Sequence, residues 1–172
     1  VGEIAFRPLG RDDLGLMYEW LRREHVRRWW DEHATYEDVA RHYLPAIEGR
    51  EPVDLYLILL DGRPVGFIQS YLLADHPDFA ERVGLGAGVA GVDLFVGEEE
   101  LTGQGLGTDV LRAFVREVVF AEPGTTACIA DPDVRNTASI RAFEKAGFRR
   151  VGEFLEPSDG QLHALVRLDR EA

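Results

Sequence analysis

The chain has 172 residues, 45% of them hydrophobic, which is enough for a well-filled core with no disulfide or metal required for folding. Its 19 basic and 31 acidic residues leave a net charge of −12, which argues against nucleic acid or an anionic membrane surface and suits cationic ligands or solubility alone. The single cysteine, Cys128, excludes an internal disulfide framework and a multi-cysteine zinc site, and fits a reducing compartment.

No apolar run approaches the roughly 18 residues of a membrane span. The stretch Val1-Gly2-Glu3-Ile4 lacks the basic-then-apolar layout of a secretory signal. The expectation is one cytoplasmic domain over 1–172, monomeric or dimeric, with neither nucleic acid nor membrane as partner.

Residues 4–9 alternate briefly and read as a first strand. Arg11-Asp12-Asp13 opens a helix with Leu14, Met17, Tyr18 and Leu21 at helical spacing. After the paired aromatics Trp29-Trp30, Thr35 caps a second helix that runs to about Ile47 and stops at Gly49. Residues 53–60 and 64–73 form a hairpin across Asp61-Gly62. The Asp, Pro, Gly and Glu content of 74–90 marks a long loop. A strand over 91–97 follows, then Glu98-Glu99-Glu100, a glycine-rich turn, and a helix whose broad apolar face holds Val110, Leu111, Phe114, Val115, Val118 and Val119. Residues 125–130 read as a buried strand and 136–146 as a helix closed by Gly147. Strands over 148–155 and 162–168 flank the turn Pro157-Ser158-Asp159-Gly160. This order predicts an α/β domain with a mixed sheet flanked by helices.

The turn Gly103-Gln104-Gly105-Leu106-Gly107-Thr108 lies between a predicted strand and a helix start. Glycines there let backbone N–H groups converge on an anion, and the helix N-terminus adds partial positive charge, so a phosphate or pyrophosphate is the natural guest. A tight loop needing glycine for its own geometry is the plain alternative. The turn lacks the Lys-Ser/Thr ending of a nucleotide-triphosphate loop, and its G-x-G-x-G spacing fits a dinucleotide fold poorly.

About thirty residues on stands Asn136-Thr137-Ala138-Ser139-Ile140-Arg141-Ala142-Phe143-Glu144-Lys145-Ala146-Gly147-Phe148. Taken with the glycine turn, it resembles the GNAT superfamily of N-acetyltransferases, which bind acetyl-CoA. The resemblance implies a mostly antiparallel sheet splayed between central strands. It implies CoA pyrophosphate on the amides of Gly103 to Thr108, and a pantetheine arm along the helix carrying Asn136, Ser139 and Phe143. Tyr18-Glu19-Trp20-Leu21, Trp29-Trp30, Tyr43-Leu44-Pro45, Gly66-Phe67-Ile68-Gln69-Ser70-Tyr71, Gly91-Val92-Asp93 and Asp131-Pro132 follow in one order that is similar to the Ib-type aminoglycoside 6'-N-acetyltransferases. Siderophore hydroxylysine acyltransferases are close relatives with a similar Trp-rich start.

That resemblance implies direct attack of a neutral amine on the thioester, without an acyl-enzyme. The sequence has no G-x-S-x-G elbow, and Cys128 sits in an apolar strand where an inert thiol is expected. Asp93 interrupts an apolar strand and must find a cation or donors; in the family the matching aspartate serves the reacting amine. A backbone N–H among Leu94, Phe95 and Val96 would polarise the carbonyl. Phe143 stands where family members commonly place a tyrosine facing the CoA sulfur, so water or another donor must serve the thiolate.

Asp131 and Asp159 match drug-contacting positions of that family, Asp78 less closely, and Trp30 is the aromatic candidate for a sugar face. Asp133 is expected in solvent, and the Glu98 to Glu100 run as a solvated edge. His25, His33, His42, His76 and His163 show no metal-ligand spacing, and no metal is expected. A CoA-binding module without turnover is the alternative from another class.

Overall fold

The computed structural model describes residues 2–30 and 35–172. Among the described residues seven strands, β1 Ile4–Pro8, β2 Asp54–Leu60, β3 Arg63–Leu72, β4 Val89–Val96, β5 Ala127–Ala130, β6 Arg149–Glu156 and β7 Gln161–Asp169, hydrogen-bond in the order β1-β2-β3-β4-β5-β7-β6. β1 with β2, β5 with β7 and β6 with β7 are antiparallel, whereas β4 with β5 is parallel. The mixed sheet expected from the order of elements is the one that forms.

The chain folds as two compact units, Val1–Gln69 with Leu94–Thr102, and Ser70–Asp93 with Gly103–Ala172. In the first unit, α1 (Leu14–Arg22) buries Leu14, Met17, Trp20 and Leu21 at the spacing that puts them on one face. The short α2 (Glu24–Arg27) follows. α3 (Tyr36–Ile47) begins as anticipated, with Thr35 Oγ1 accepting the Asp38 N–H at 3.1 Å. Its buried Val39 and Tyr43 join Trp20, Leu57, Phe67 and Phe95 in the core, where each large side chain contributes about 1.5–3 kcal/mol of burial. Asp61 (φ 51°) and Gly62 (φ 80°) make the left-handed two-residue turn that joins β2 to β3.

In the second unit, residues 74–90 are not the loop that their composition suggested. A helix, α4 (Pro77–Val83), starts on Pro77 and ends at Gly84, which adopts φ 70°. Proline at a helix start and glycine past its end are ordinary punctuation. What decides the helix is packing of the half-buried Phe79, Ala80 and Val83 against the buried Leu73, Val89, Ile129 and Leu165. α5 (Leu106–Phe114) continues into one π-helical turn, Val115–Val119, and buries Val110, Leu111 and Phe114. α6 (Thr137–Lys145) buries Ile140 and Phe143, and Gly147 closes it at φ 105°. No helix among the described residues is long and apolar enough to cross a membrane.

Candidate active site

Gly103 and Gly105 have φ of 70° and 83°, and Gly105 is the residue before the first turn of α5. A Cβ at either would meet nothing within 4 Å, so the glycines are required by backbone conformation and the turn is open on that side. The first N–H groups of α5 have no partner within the helix and are offered outward. The turn sits against the Asn136 helix. Thr108 Oγ1 donates to the Ala142 carbonyl at 3.4 Å, Arg112 Nη2 donates to the Lys145 carbonyl at 2.6 Å, and the space at Gly107 faces the Ala142 methyl. Asn136 caps α6, its Oδ1 accepting the Ser139 N–H at 3.2 Å. Phe143 is 3% exposed and packs edge-on against Phe148 at 5.1 Å.

Parallel pairing of β4 with β5 ends at Gly91 opposite Ile129, while β4 itself runs on to Val96. Tyr71 lies directly over Gly91: a Cβ there would come within 2.6 Å of its ring carbons and hydroxyl. Burial, together with the charges of Asp93 and Asp131, holds the Tyr71 phenol well above its ordinary range. It therefore stays a neutral O–H donor. Burial and Asp93 likewise push the Cys128 thiol far up. A thiol that is fully buried and kept protonated is no nucleophile, which agrees with the inert strand residue expected.

The loop after β5 lies along the start of β7. Ala164 N–H donates to the Pro132 carbonyl at 2.8 Å and Val134 N–H to the Leu162 carbonyl at 3.0 Å. This brings Asp131 to His163, whose Nδ1 is 2.7 Å from the Asp131 carbonyl and 3.1 Å from its Oδ2. His163 Nε2 is 2.8 Å from Asp159 Oδ2. Carbonyl and carboxylate oxygens only accept, so both ring nitrogens carry protons and the side chain is an imidazolium. The two carboxylates raise its pKa to about 9. Burial raises the Asp131 carboxyl, with His163 opposing that rise.

Several sequence expectations change here. His163 is no bystander but the link between two predicted acceptor residues. Asp133 does not stand in solvent: its carboxylate takes Arg135 Nε at 3.0 Å and Nη2 at 2.7 Å, and its side chain is 11% exposed. Asp133, Asp159 and His163 have ligand atoms within 4.8 Å of one another, but all three already hold the Arg135 or His163 bonds above. Glu98 leaves the expected solvated run to pair with Arg23, while Glu99 and Glu100 are exposed. Asp78 is exposed in the first turn of α4, where a carboxylate suits the helix end.

In the first unit, Phe95 is buried and Trp30 packs edge-on against Phe67 and Phe95, at 6.0 and 5.1 Å. The end of β4 is braced: His25 Nε2 donates to the Val96 carbonyl at 2.9 Å and Arg23 Nη1 to the Gly97 carbonyl at 2.9 Å. His33 lies outside the described residues. Tyr71 and His163 are the two groups that sequence reasoning did not assign. Gly91 was the available signal for Tyr71, because a glycine inside a strand marks close approach of another group.

A family model for the acetyltransferase (GNAT) domain matches residues 10–155. The chain belongs to the GNAT acetyltransferase family. It is 36% identical over 167 residues to the aminoglycoside N(6')-acetyltransferase type 1 of Klebsiella pneumoniae, covering 95% of this chain and 82% of that one. It is 30% identical over 159 residues to the lysine N-acyltransferase MbtK of Mycolicibacterium paratuberculosis, covering 87% and 67%. The crystal structure of aminoglycoside acetyltransferase AAC(6')-Ib with coenzyme A and kanamycin superposes with a TM-score of 0.82 at 33% identity, covering 98% of this chain and 95% of that one. The GNAT resemblance and fold drawn from the glycine turn and the Asn136 helix are thus established.

Proposed function

We propose that the protein is an aminoglycoside 6'-N-acetyltransferase that moves acetyl from acetyl-CoA to the 6'-amine in a ternary complex. The observation that carries the reading is the buried Tyr71 phenol over Gly91, where the parallel pairing of β4 with β5 ends and where the charges of both Asp93 and Asp131 are felt. The likeness to the Klebsiella enzyme, over 95% of this chain and 82% of that one, supplies the acceptor class.

On this reading the backbone amides of Gly103, Gln104, Gly105, Leu106, Gly107 and Thr108 take the CoA pyrophosphate. Asn136, Ser139 and Phe143 flank its arm, and the Asn136 side-chain N–H groups are donors besides the Oδ1 that caps α6. Asp93 accepts the proton as the amine nitrogen bonds to the acetyl carbon. A β4 amide among Leu94 to Val96 holds the oxyanion, and the C–S bond breaks to release thiolate. Phe143 offers that thiolate no proton, so water delivers it. Asp131 and Asp159 receive acceptor ammonium groups, and Asp78 adds a contact from α4.

The likeness to MbtK favours a second reading, acylation of a hydroxylysine-type amine. Free thiol, followed with acetyl-CoA and kanamycin, a 6'-hydroxyl aminoglycoside or hydroxylysine, separates the two. Turnover with kanamycin and not with the 6'-hydroxyl compound is expected. Turnover with hydroxylysine alone would transfer the chain to the second reading, and acetyl-CoA binding without thiol release would leave a non-catalytic binder.

A further inference from the structure

We propose that His163 is a positioning residue of the acceptor site, holding Asp131 and Asp159 in one arrangement and setting the charge they present to a polyammonium acceptor. The proposal rests on the reading above that these two carboxylates bind the acceptor. His163 never touches the reacting atoms in this scheme and acts only through its two partners.

The geometry is that of a clamp. The imidazolium is 12% exposed, Asp131 15% and Asp159 44%, so the ring bridges an inner carboxylate and an outer one. Asp159 would otherwise move with its turn. His163 Nε2 takes one of its oxygens, and Gln161 N–H binds the other at 2.8 Å. Each carboxylate oxygen has two lone pairs, so both residues can still receive an ammonium N–H while held.

The charge follows from the same contacts. Two carboxylates and one imidazolium leave a single negative charge. Were the ring neutral, one carboxylate would lose its donor and the pair would repel. Facing this cluster are Glu156 at the end of β6, which acts on Asp131, and the Asp133–Arg135 pair of the loop after β5. The Phe154 ring covers the imidazole from β6 at 5.9 Å. With its pKa near 9, His163 keeps both protons through neutral pH. A singly charged amine needs only one of the carboxylates, so the clamp matters for polycations.

The test compares wild type, His163→Val and His163→Asn for thiol release with kanamycin, with acetyl-CoA affinity by calorimetry and thermal midpoints alongside. His163→Val is expected to raise the kanamycin KM roughly tenfold, equivalent to about 1.4 kcal/mol, with acetyl-CoA affinity unchanged. His163→Asn, which keeps a donor near Asp131, recovers part of the loss. The gap between wild type and His163→Val closes as pH rises past about 9, where wild type loses its second ring proton. An unchanged kanamycin KM in both variants overturns the inference and leaves the enzyme reading standing. So does a parallel loss of acetyl-CoA affinity and thermal midpoint, which marks a merely structural role. Wild type that turns over hydroxylysine but not kanamycin defeats the aminoglycoside reading, and the inference with it.

Discussion

At Asp93 one nitrogen-for-oxygen exchange separates a base from an isosteric bystander. Asp93→Asn preserves the shape and removes the carboxylate that the proposed mechanism uses as its proton acceptor, so kcat with kanamycin should fall by about 10²–10⁴-fold while acetyl-CoA still binds. Single-turnover thiol release measures this, and an unchanged rate would return Asp93 to a structural role. His163 makes a different kind of claim. Its folded pKa of about 9 lies above the unfolded value, so folding favours the protonated ring. Its contribution to stability is fully present below about pH 6.5 and is lost as pH rises through about 9. The denaturation midpoint of wild type minus that of His163→Val should therefore shrink across that window. A flat difference would show that the two carboxylates do not grip the ring in solution.

At the scale of elements, the glycine turn and the Asn136 helix were both legible because each is local. Positive-φ glycines, a capping Asn and a closing Gly147 act within a few residues of their own positions. Gly105 offers a clean probe, since a Cβ there meets no neighbour and the penalty is backbone conformation alone. Gly105→Ala forces an alanine to φ 83°, a strain of about 1–2 kcal/mol. The KM for acetyl-CoA should rise several-fold and the acceptor KM should hold, as steady-state kinetics would show. α4 was illegible for the opposite reason. Its seven residues carry too few apolar positions to reveal a period, and the contacts that favour it lie on β3, β4, β5 and β7. Asp78 thereby changes from a loop charge into a first-turn helix residue.

For the whole molecule, the net charge of −12 acts on the two proposed substrates with opposite sign. A polycationic acceptor is attracted and anionic acetyl-CoA is repelled, and added salt screens both effects. Raising ionic strength should increase the kanamycin KM while leaving the acetyl-CoA KM constant or lower. Two salt series of initial rates would check this. Parallel slopes would mean that local contacts outweigh the field of the whole protein.

By itself the sequence determined the family, the succession of strands and of the helices other than α2 and α4, the glycine turn, and Asp93 as an anomalous carboxylate in an apolar strand. These are properties of neighbouring residues, written in propensity, turn chemistry and periodicity. Only tertiary structure decided that Tyr71 covers Gly91, that Asp133 turns to Arg135 and Glu98 to Arg23, and that His163 joins Asp131 to Asp159. His163 and Asp131 are 32 positions apart, and the loop after β5 must lie along β7 before they meet. A charge state set by two acceptors on different segments exists only once the chain has brought those acceptors to one ring.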